Sequence, residues 1–231
     1  MRDRSSPSTR AGRPSVSASL DIVLCTPQGR ALAVLLMPAA AAGRERWMLP
    51  WIALGRASPI DDAADRLAAS ALGARPAWIT QVGAFGDENR HPGGAALSIG
   101  YVAVTPAGDR RLAAGAQWFA AAALPALGPR QRAIVDASVA ALRARMDSAP
   151  VAFRLLPATF SLTDLQEVYE LLLGRRVHKA SFRRSLQAAW LVEPTDEWRS
   201  EGRGRPAQLF RYAPRKRRGG RRGVRFELPG G

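Results

Sequence analysis

Two groups of residues in this 231-residue chain carry chemistry by their type and spacing. The first is Lys179, Arg183 and Gln187, spaced i, i+4, i+8, with Arg184 beside them. On a helix that spacing lines up one face, opposite or beside a face formed by Phe182 and Leu186. Arginine and lysine there can donate to guanine edges, and glutamine can read adenine. The same groups can equally hold phosphates, which position a protein without reading sequence, or form an ordinary solvated face. Further on, Gly202-Arg203-Gly204-Arg205-Pro206 puts two arginines on a thin backbone. Glycine lets such a backbone approach DNA closely, and a narrow minor groove attracts inserted arginine; the plainer alternative is a flexible surface hairpin. The second group is Arg66, Asp87, Arg90 and His91, whose arginines offer the forked donors that suit a phosphate. Against ligand contact stand an i, i+4 pair of Arg66 with Asp62, a turn role for Asp87 and a structural role for Arg90. For His91 the structural role is the favoured one.

Other chemistries fall away on counts. A single cysteine, Cys25, excludes a disulfide framework and a cysteine-based zinc site, and two histidines, His91 and His178, make no metal cluster. Hydrophobic residues at 47% and charged residues at 23% exclude a chain disordered throughout. The apolar run Ala31–Ala42 is too short to span a bilayer and the N-terminus has no secretory pattern, so a cytoplasmic protein is expected. The net charge is +15, and residues 175–225 hold 16 basic against 4 acidic residues. Arginine abundance by itself reflects a GC-rich coding habit; its clustering points to a polyanion partner.

The elements that must position these groups are legible in outline. Residues 1–18, rich in Ser, Arg, Pro and Gly, read as a disordered arm. Leu20–Thr26 and Ala31–Met37 are expected strands around a Pro27–Arg30 turn, opening a mixed α/β domain. Ser58-Pro59 starts a helix, with Ser58 as N-cap and apolar positions running from Ile60 to Leu72 until Gly73 ends it. Trp78–Phe85 and Ala95–Val104 are further strands around a polar loop, and Arg130–Met146 is a helix. Residues 147–150 are the expected domain boundary. Beyond it, Ser161 or Thr163 caps a helix through Leu173, His178–Ala189 forms another, and short strands Leu191–Glu193 and Ala207–Tyr212 flank the Gly-Arg loop. Two helices and a hairpin are the pattern of a winged helix-turn-helix. The tail 214–231, with Arg215, Lys216, Arg217, Arg218, Arg221, Arg222 and Arg225, reads as an electrostatic arm.

Three stretches carry a family resemblance: Phe160–Glu170 with Leu172–Arg175, Lys179–Arg184, and Gly202–Phe210. Together they resemble the C-terminal domain of Nudix-related transcriptional regulators, repressors of NAD-metabolism and related genes that place a Nudix-like sensor ahead of a winged helix. Phe85-Gly86-Asp87, Arg90, Pro92 and Gly93 are similar to the sensor loop that precedes a Ser-x-x-Tyr strand, Ser98–Tyr101 in this chain, and Pro150–Phe153 with Leu155–Pro157 resemble the interdomain segment. The resemblance implies an α+β protein: an arm over 1–18, a Nudix-like α/β/α sandwich with a mixed sheet over 19–148, a winged helix over 149–213 and a basic tail. It implies a homodimer on double-stranded DNA with a palindromic operator, contacted by Lys179, Ser181, Arg183, Arg184, Gln187, Arg203 and Arg205. A nucleotide-like effector such as ADP-ribose would meet Arg66, Asp87 and Arg90, with no membrane partner and no cofactor.

The sequence departs from the family's enzymatic pattern at the Nudix box. Aligned on Leu49-Pro50, Ile52 replaces the first glycine and Ser58 the first glutamate; Arg66 and Gly73 are kept, but Leu67, Ser70 and Ala71 stand where glutamates would bind Mg²⁺. A hard divalent cation needs oxygen ligands, so no catalytic or metal-binding residue is assigned. Asp61, Asp62 and Asp65 complement the helix N-terminal dipole. The rival readings are a Nudix-type hydrolase with an appended nucleic-acid-binding module, and a non-specific nucleic-acid-binding protein.

Overall fold

Alternation along the first strand decides what lies on each side of the larger sheet. In β1 (Ala18–Gln28) Leu20, Ile22 and Leu24 point one way while Val23 and Cys25 point the other, all fully buried. A strand with both faces apolar must be covered twice, and it is. A computed structural model, which describes residues 17–39, 46–55, 59–86, 91–108, 110–146, 150–200 and 206–213, gives the arrangement.

β1 turns at Gly29, whose φ of 57° is the left-handed conformation glycine adopts without cost, into antiparallel β2 (Ala31–Pro38). β1 also runs parallel to β6 (Leu97–Val104), which pairs antiparallel with β5 (Trp78–Phe85). Short strands β3 (Trp47–Met48), β4 (Trp51–Ala53) and β7 (Gln117–Ala120) pair with β2, β1 and β2 respectively. The sheet is therefore mixed, in the order β3-β2-β1-β6-β5.

One face takes α1 (Ile60–Leu72), whose buried stripe is Ala63, Ala64, Ala68, Ala71 and Leu72. Small side chains let this helix lie close on Leu20, Ile22, Tyr101 and Ala103. Pro59 is its N-cap residue and Gly73, in the left-handed conformation, its C-cap. The expected serine cap, Ser58, lies outside the described residues, and proline stands one position earlier than the sequence reading had it. The other face takes α2 (Pro129–Ala144), with Ile134, Val135, Ser138 and Leu142 buried. It begins and ends one to two residues before the expected 130–146.

The core on the α2 side does not stop at the sheet. It runs through α3 (Val151–Arg154) into α4 (Leu162–Leu173) and α5 (Lys179–Ala189), joining Val104, Val135 and Leu142 to Val151, Phe153, Leu165, Tyr169 and Phe182. Burying one such side chain contributes roughly 1.5–3 kcal/mol. A second sheet of three strands, β8 (Thr159–Phe160), β10 (Ala207–Tyr212) and β9 (Val192–Arg199), runs β8-β10-β9, all antiparallel. β9 is much longer than the expected Leu191–Glu193, because Pro194 and three acidic or polar neighbours conceal it from periodicity. β3, β4, β7, β8 and α3 were not foreseen; each is four residues or shorter and is made by pairing or packing with distant partners. Ala18, expected in the arm, opens β1. Among the described residues no helix is long and apolar enough to cross a membrane.

Candidate nucleic-acid interface and sensor site

α5 contains no acidic residue. Its Phe182 and Leu186 are buried, with the Phe182 ring edge-on to Tyr169 of α4 at a centroid distance of 5.3 Å. Fixing those two positions fixes the rest of the helix: Lys179, Ser181, Arg183, Arg184 and Gln187 are all exposed. The structure therefore brings together the five α5 residues singled out in the sequence. Arg203 and Arg205 lie outside the described residues.

The α4–α5 turn is held by side chains. Glu170 Oε1 accepts from the Val177 backbone N–H (2.9 Å) and from Gln166 Nε2 (3.0 Å), and that amide also donates to the Val177 carbonyl (3.1 Å). The Val177 N–H and the Gln166 amide hold the Glu170 carboxyl below its ordinary range, with burial opposing and Arg176 and Arg30 assisting. At the start of α4, Ser161 and Asp164 form a reciprocal capping box. Arg199 Nη2 lies 2.7 Å from both oxygens of Asp164, tying β9 to that helix end. Burial disfavours the Asp164 carboxylate, yet Arg199 and the Ser161 N–H together bring it below its ordinary value.

In the sheet domain, Arg66 is exposed on α1. It makes no ion pair with Asp62 among the described residues, so that alternative does not hold. Asp87 and Arg90 lie outside the described residues. Leu67, like Ile52 and Leu54, packs against the buried core between α1 and the sheet, Ala71 is buried and Ser70 is exposed. Two of the three positions at which the box would carry carboxylates thus form apolar packing. The Tyr101 hydroxyl donates to Asp61 Oδ1, and burial followed by that bond raises the phenol's pKa. Cys25, buried, is pushed up to about 12 and is an inert thiol.

The sequence reading missed a buried polar cluster on the α2 face. Asp21 and His91 are buried and 2.8 Å apart through Oδ1 and Nε2. The Gly93 N–H donates to His91 Nδ1 (3.0 Å), so Nε2 carries the proton and donates to Asp21. Ser19 donates to Asp21 Oδ2 (2.7 Å) and, its proton being engaged, accepts from Ser98 (2.9 Å). Gln131 of α2 completes the cluster: Nε2 donates to Asp21 (3.4 Å) and Oε1 accepts from the Leu49 N–H (3.2 Å). His91 is accordingly a structural histidine. A charged residue inside the apolar run Leu20–Leu24 was the available signal.

α2 touches both halves. At its start Arg130 donates to the Ala95 carbonyl (2.8 Å) and Gln131 enters the cluster; near its end Arg143 Nε donates to the Leu172 carbonyl of α4 (2.8 Å). A crevice of about 780 Å³, lined by Arg30, Val135, Val139, Arg143, Glu167 and Leu171 among others, lies between the β1–β2 turn, α2 and α4.

Comparison with known proteins matches this geometry. Residues 152–212, from α3 to the end of β10, match the NrtR DNA-binding winged helix domain. The crystal structure of Shewanella oneidensis NrtR complexed with a 27mer DNA superposes with a TM-score of 0.74 at 26% identity, covering 85% of this chain and 94% of that one. In architecture, a Nudix-like mixed-sheet domain followed by a winged helix, the chain resembles the Nudix-related transcriptional regulators. It is also 26% identical over 209 residues, 87% of its length and 83% of the relative's, to the ADPR responsive transcriptional repressor NtrR of Acinetobacter baylyi. A MutT/nudix family protein of Enterococcus faecalis shares the fold, with a TM-score of 0.67 at 17% identity over 88% of each chain. Within the residues that match the winged-helix model, α4 and α5 form the helix-turn-helix and β9–β10 the wing.

Proposed function

We propose that the protein is an ADP-ribose-responsive transcriptional repressor that reads operator DNA with α5 and acts in the bacterial cytoplasm. The observation that carries the reading is the exposed, acid-free face of α5. Lys179, Ser181, Arg183, Arg184 and Gln187 stand outward over the buried Phe182 and Leu186, in a winged helix whose relative from Shewanella was crystallised on DNA. Arg203 and Arg205 add minor-groove contacts. The chain works as a homodimer on a palindromic operator, with half-sites spaced by one DNA turn or a multiple. The sensor spans residues 19–148 and the DNA-binding domain 149–213.

The effector binds the sensor with Arg66, Asp87 and Arg90 among its contacts, as the ADPR response of the Acinetobacter relative supports. The sensor does not hydrolyse it: Leu67 and Ala71 supply packing where the metal's carboxylates belong. Coupling requires that ADP-ribose bind two arrangements of the halves with different affinity. α2, hydrogen-bonded to the sensor at one end and to α4 at the other, connects them. An operator selected from random duplexes, followed by mobility shift, tests the reading. Arg183→Ala with Arg205→Ala lowers specific affinity about tenfold or more, since a bidentate base contact of Arg183 is worth ~1–3 kcal/mol by itself, and ADP-ribose shifts the wild-type titration. Unchanged operator affinity in the double variant refutes the assignment.

A further inference from the structure

The crevice between the two halves carries charge from both, and its two signs are not equally engaged. Of the carboxylates on its walls, Asp164 is held at both oxygens by Arg199, and Asp136 lies 3.2 Å from Arg132. Neither of those arginines is among the lining residues. Glu170 accepts from the Val177 N–H and the Gln166 amide. Glu167 and the remaining field of Glu170 then stand opposite four guanidinium groups: Arg30 from the β1–β2 turn, Arg143 from α2, and Arg175 and Arg176 just after α4. Arg143 spends its Nε–H on the Leu172 carbonyl (2.8 Å) and keeps its two terminal nitrogens. Arg30, Arg175 and Arg176 are exposed, and among the described residues they make no hydrogen bond or ion pair. Arg176 and Arg30 nonetheless both act on Glu170, so one cation from each half stands near the same carboxylate.

Between these cations the walls are apolar. Val135 is buried, and Val139 and Leu171 are partly so. A space of about 780 Å³ lined in this way, at a domain junction, has the size and composition of a small-molecule site. Unpaired guanidinium forks select the head of a ligand, because they match the oxygens of a carboxylate or phosphate two at a time. The apolar walls select its body. We propose that the crevice is a second ligand site, taking a small organic anion whose carboxylate or phosphate meets Arg30, Arg143 and Arg176 while its apolar body lies on Val135, Val139 and Leu171. Arg66 stands on α1, on the opposite face of the sheet from α2, so this site is separate from the effector contact proposed there. A molecule bound in the crevice touches the sensor turn and α4 at once, and it favours the arrangement of the halves in which both walls reach it.

Calorimetric titration of the full chain with 1-naphthyl phosphate and with 1-naphthoate tests this. The wild type binds at least one of them saturably, and neutral 1-naphthol and inorganic phosphate bind roughly tenfold more weakly or worse, since each offers only half of the match. Arg30→Gln combined with Arg176→Gln removes two exposed cations; it weakens the anion by roughly tenfold or more and leaves the denaturant midpoint near wild type. Arg183→Ala, on the outward face of α5, leaves the titration as it was. Loss of binding in Arg183→Ala with retention in the double variant would put the anion on the DNA-reading face and overturn the site. So would inorganic phosphate binding as tightly as the naphthyl anions, or a wild type that saturates with neither of them at millimolar concentration. Displacement of the bound anion by ADP-ribose would make the crevice the effector's own site and overturn a second one. Operator binding enters none of these readouts, so the repressor reading and the crevice site stand or fall separately.

Discussion

α1 and α5 are two amphipathic helices of similar length, thirteen and eleven residues, whose outward faces have gone opposite ways. α1 buries four alanines and a leucine and shows Asp61, Asp62, Asp65 and Arg66 to solvent; α5 buries a phenylalanine and a leucine and shows three cations, a serine and a glutamine. In α1 the positions that would hold a metal have been drawn into packing, at Leu67 and Ala71. In α5 the positions that would touch a ligand stay outside. The buried stripe sets where a helix lies and the exposed stripe what it does, and the two vary independently.

The sharpest way to break that comparison is to attack the two buried stripes. Phe182→Ala leaves a cavity beneath α5 and costs about 3–5 kcal/mol, and because Phe182, with Leu186, seats α5 on its support at Tyr169, DNA affinity falls with it. Ala64→Leu, at a fully buried position of α1, overpacks and costs roughly 1–3 kcal/mol while leaving operator affinity near wild type. Denaturant midpoints and mobility shifts on the same two proteins measure both halves. Equal loss of DNA binding in the two variants would mean that the faces are not separable.

A smaller effect probes how the halves communicate. Arg143→Met keeps the aliphatic stem and removes the donor to the Leu172 carbonyl. Operator Kd values with and without ADP-ribose should converge by about tenfold, within the ~1–3 kcal/mol usual for coupling between sites, while each ligand alone binds as before. Retention of the full response would place the coupling in the apolar contact between α2 and α4.

Much of this was legible in the chain. The i, i+4, i+8 spacing foretold the exposed polar face of α5, because a buried Phe182 and Leu186 leave those positions only one direction to point. The two-faced β1, the glycine stop of α1 and the serine cap of α4 likewise follow from local rules. What stayed hidden is non-local. Gln131 reads as one more polar helix residue until Leu49 and Asp21 are brought to it, and His91 needs both Asp21 and the Gly93 N–H to show its tautomer. β9 hid because its bulge breaks the period of two, and Arg199 gave no sign that it closes on Asp164.

That last pair supplies the smallest of the contrasts. Asp164 and Glu170, both on α4, have folded pKa values below their ordinary 3.8 and 4.5. A depressed carboxylate pKa contributes stability that is present above the unfolded value and is lost as pH falls through the folded one. The winged helix should therefore lose stability below about pH 4.5, from the Val177 and Gln166 bonds to Glu170 first and then from the Arg199 and Ser161 bonds to Asp164. Both groups are partly solvated, so the loss is smaller than that of either substitution above. Asp164→Asn combined with Glu170→Gln flattens the slope of unfolding free energy against pH, measured by denaturant between pH 6 and pH 3. An undiminished slope in that double variant would move the acid sensitivity out of the DNA-binding half and into the sensor.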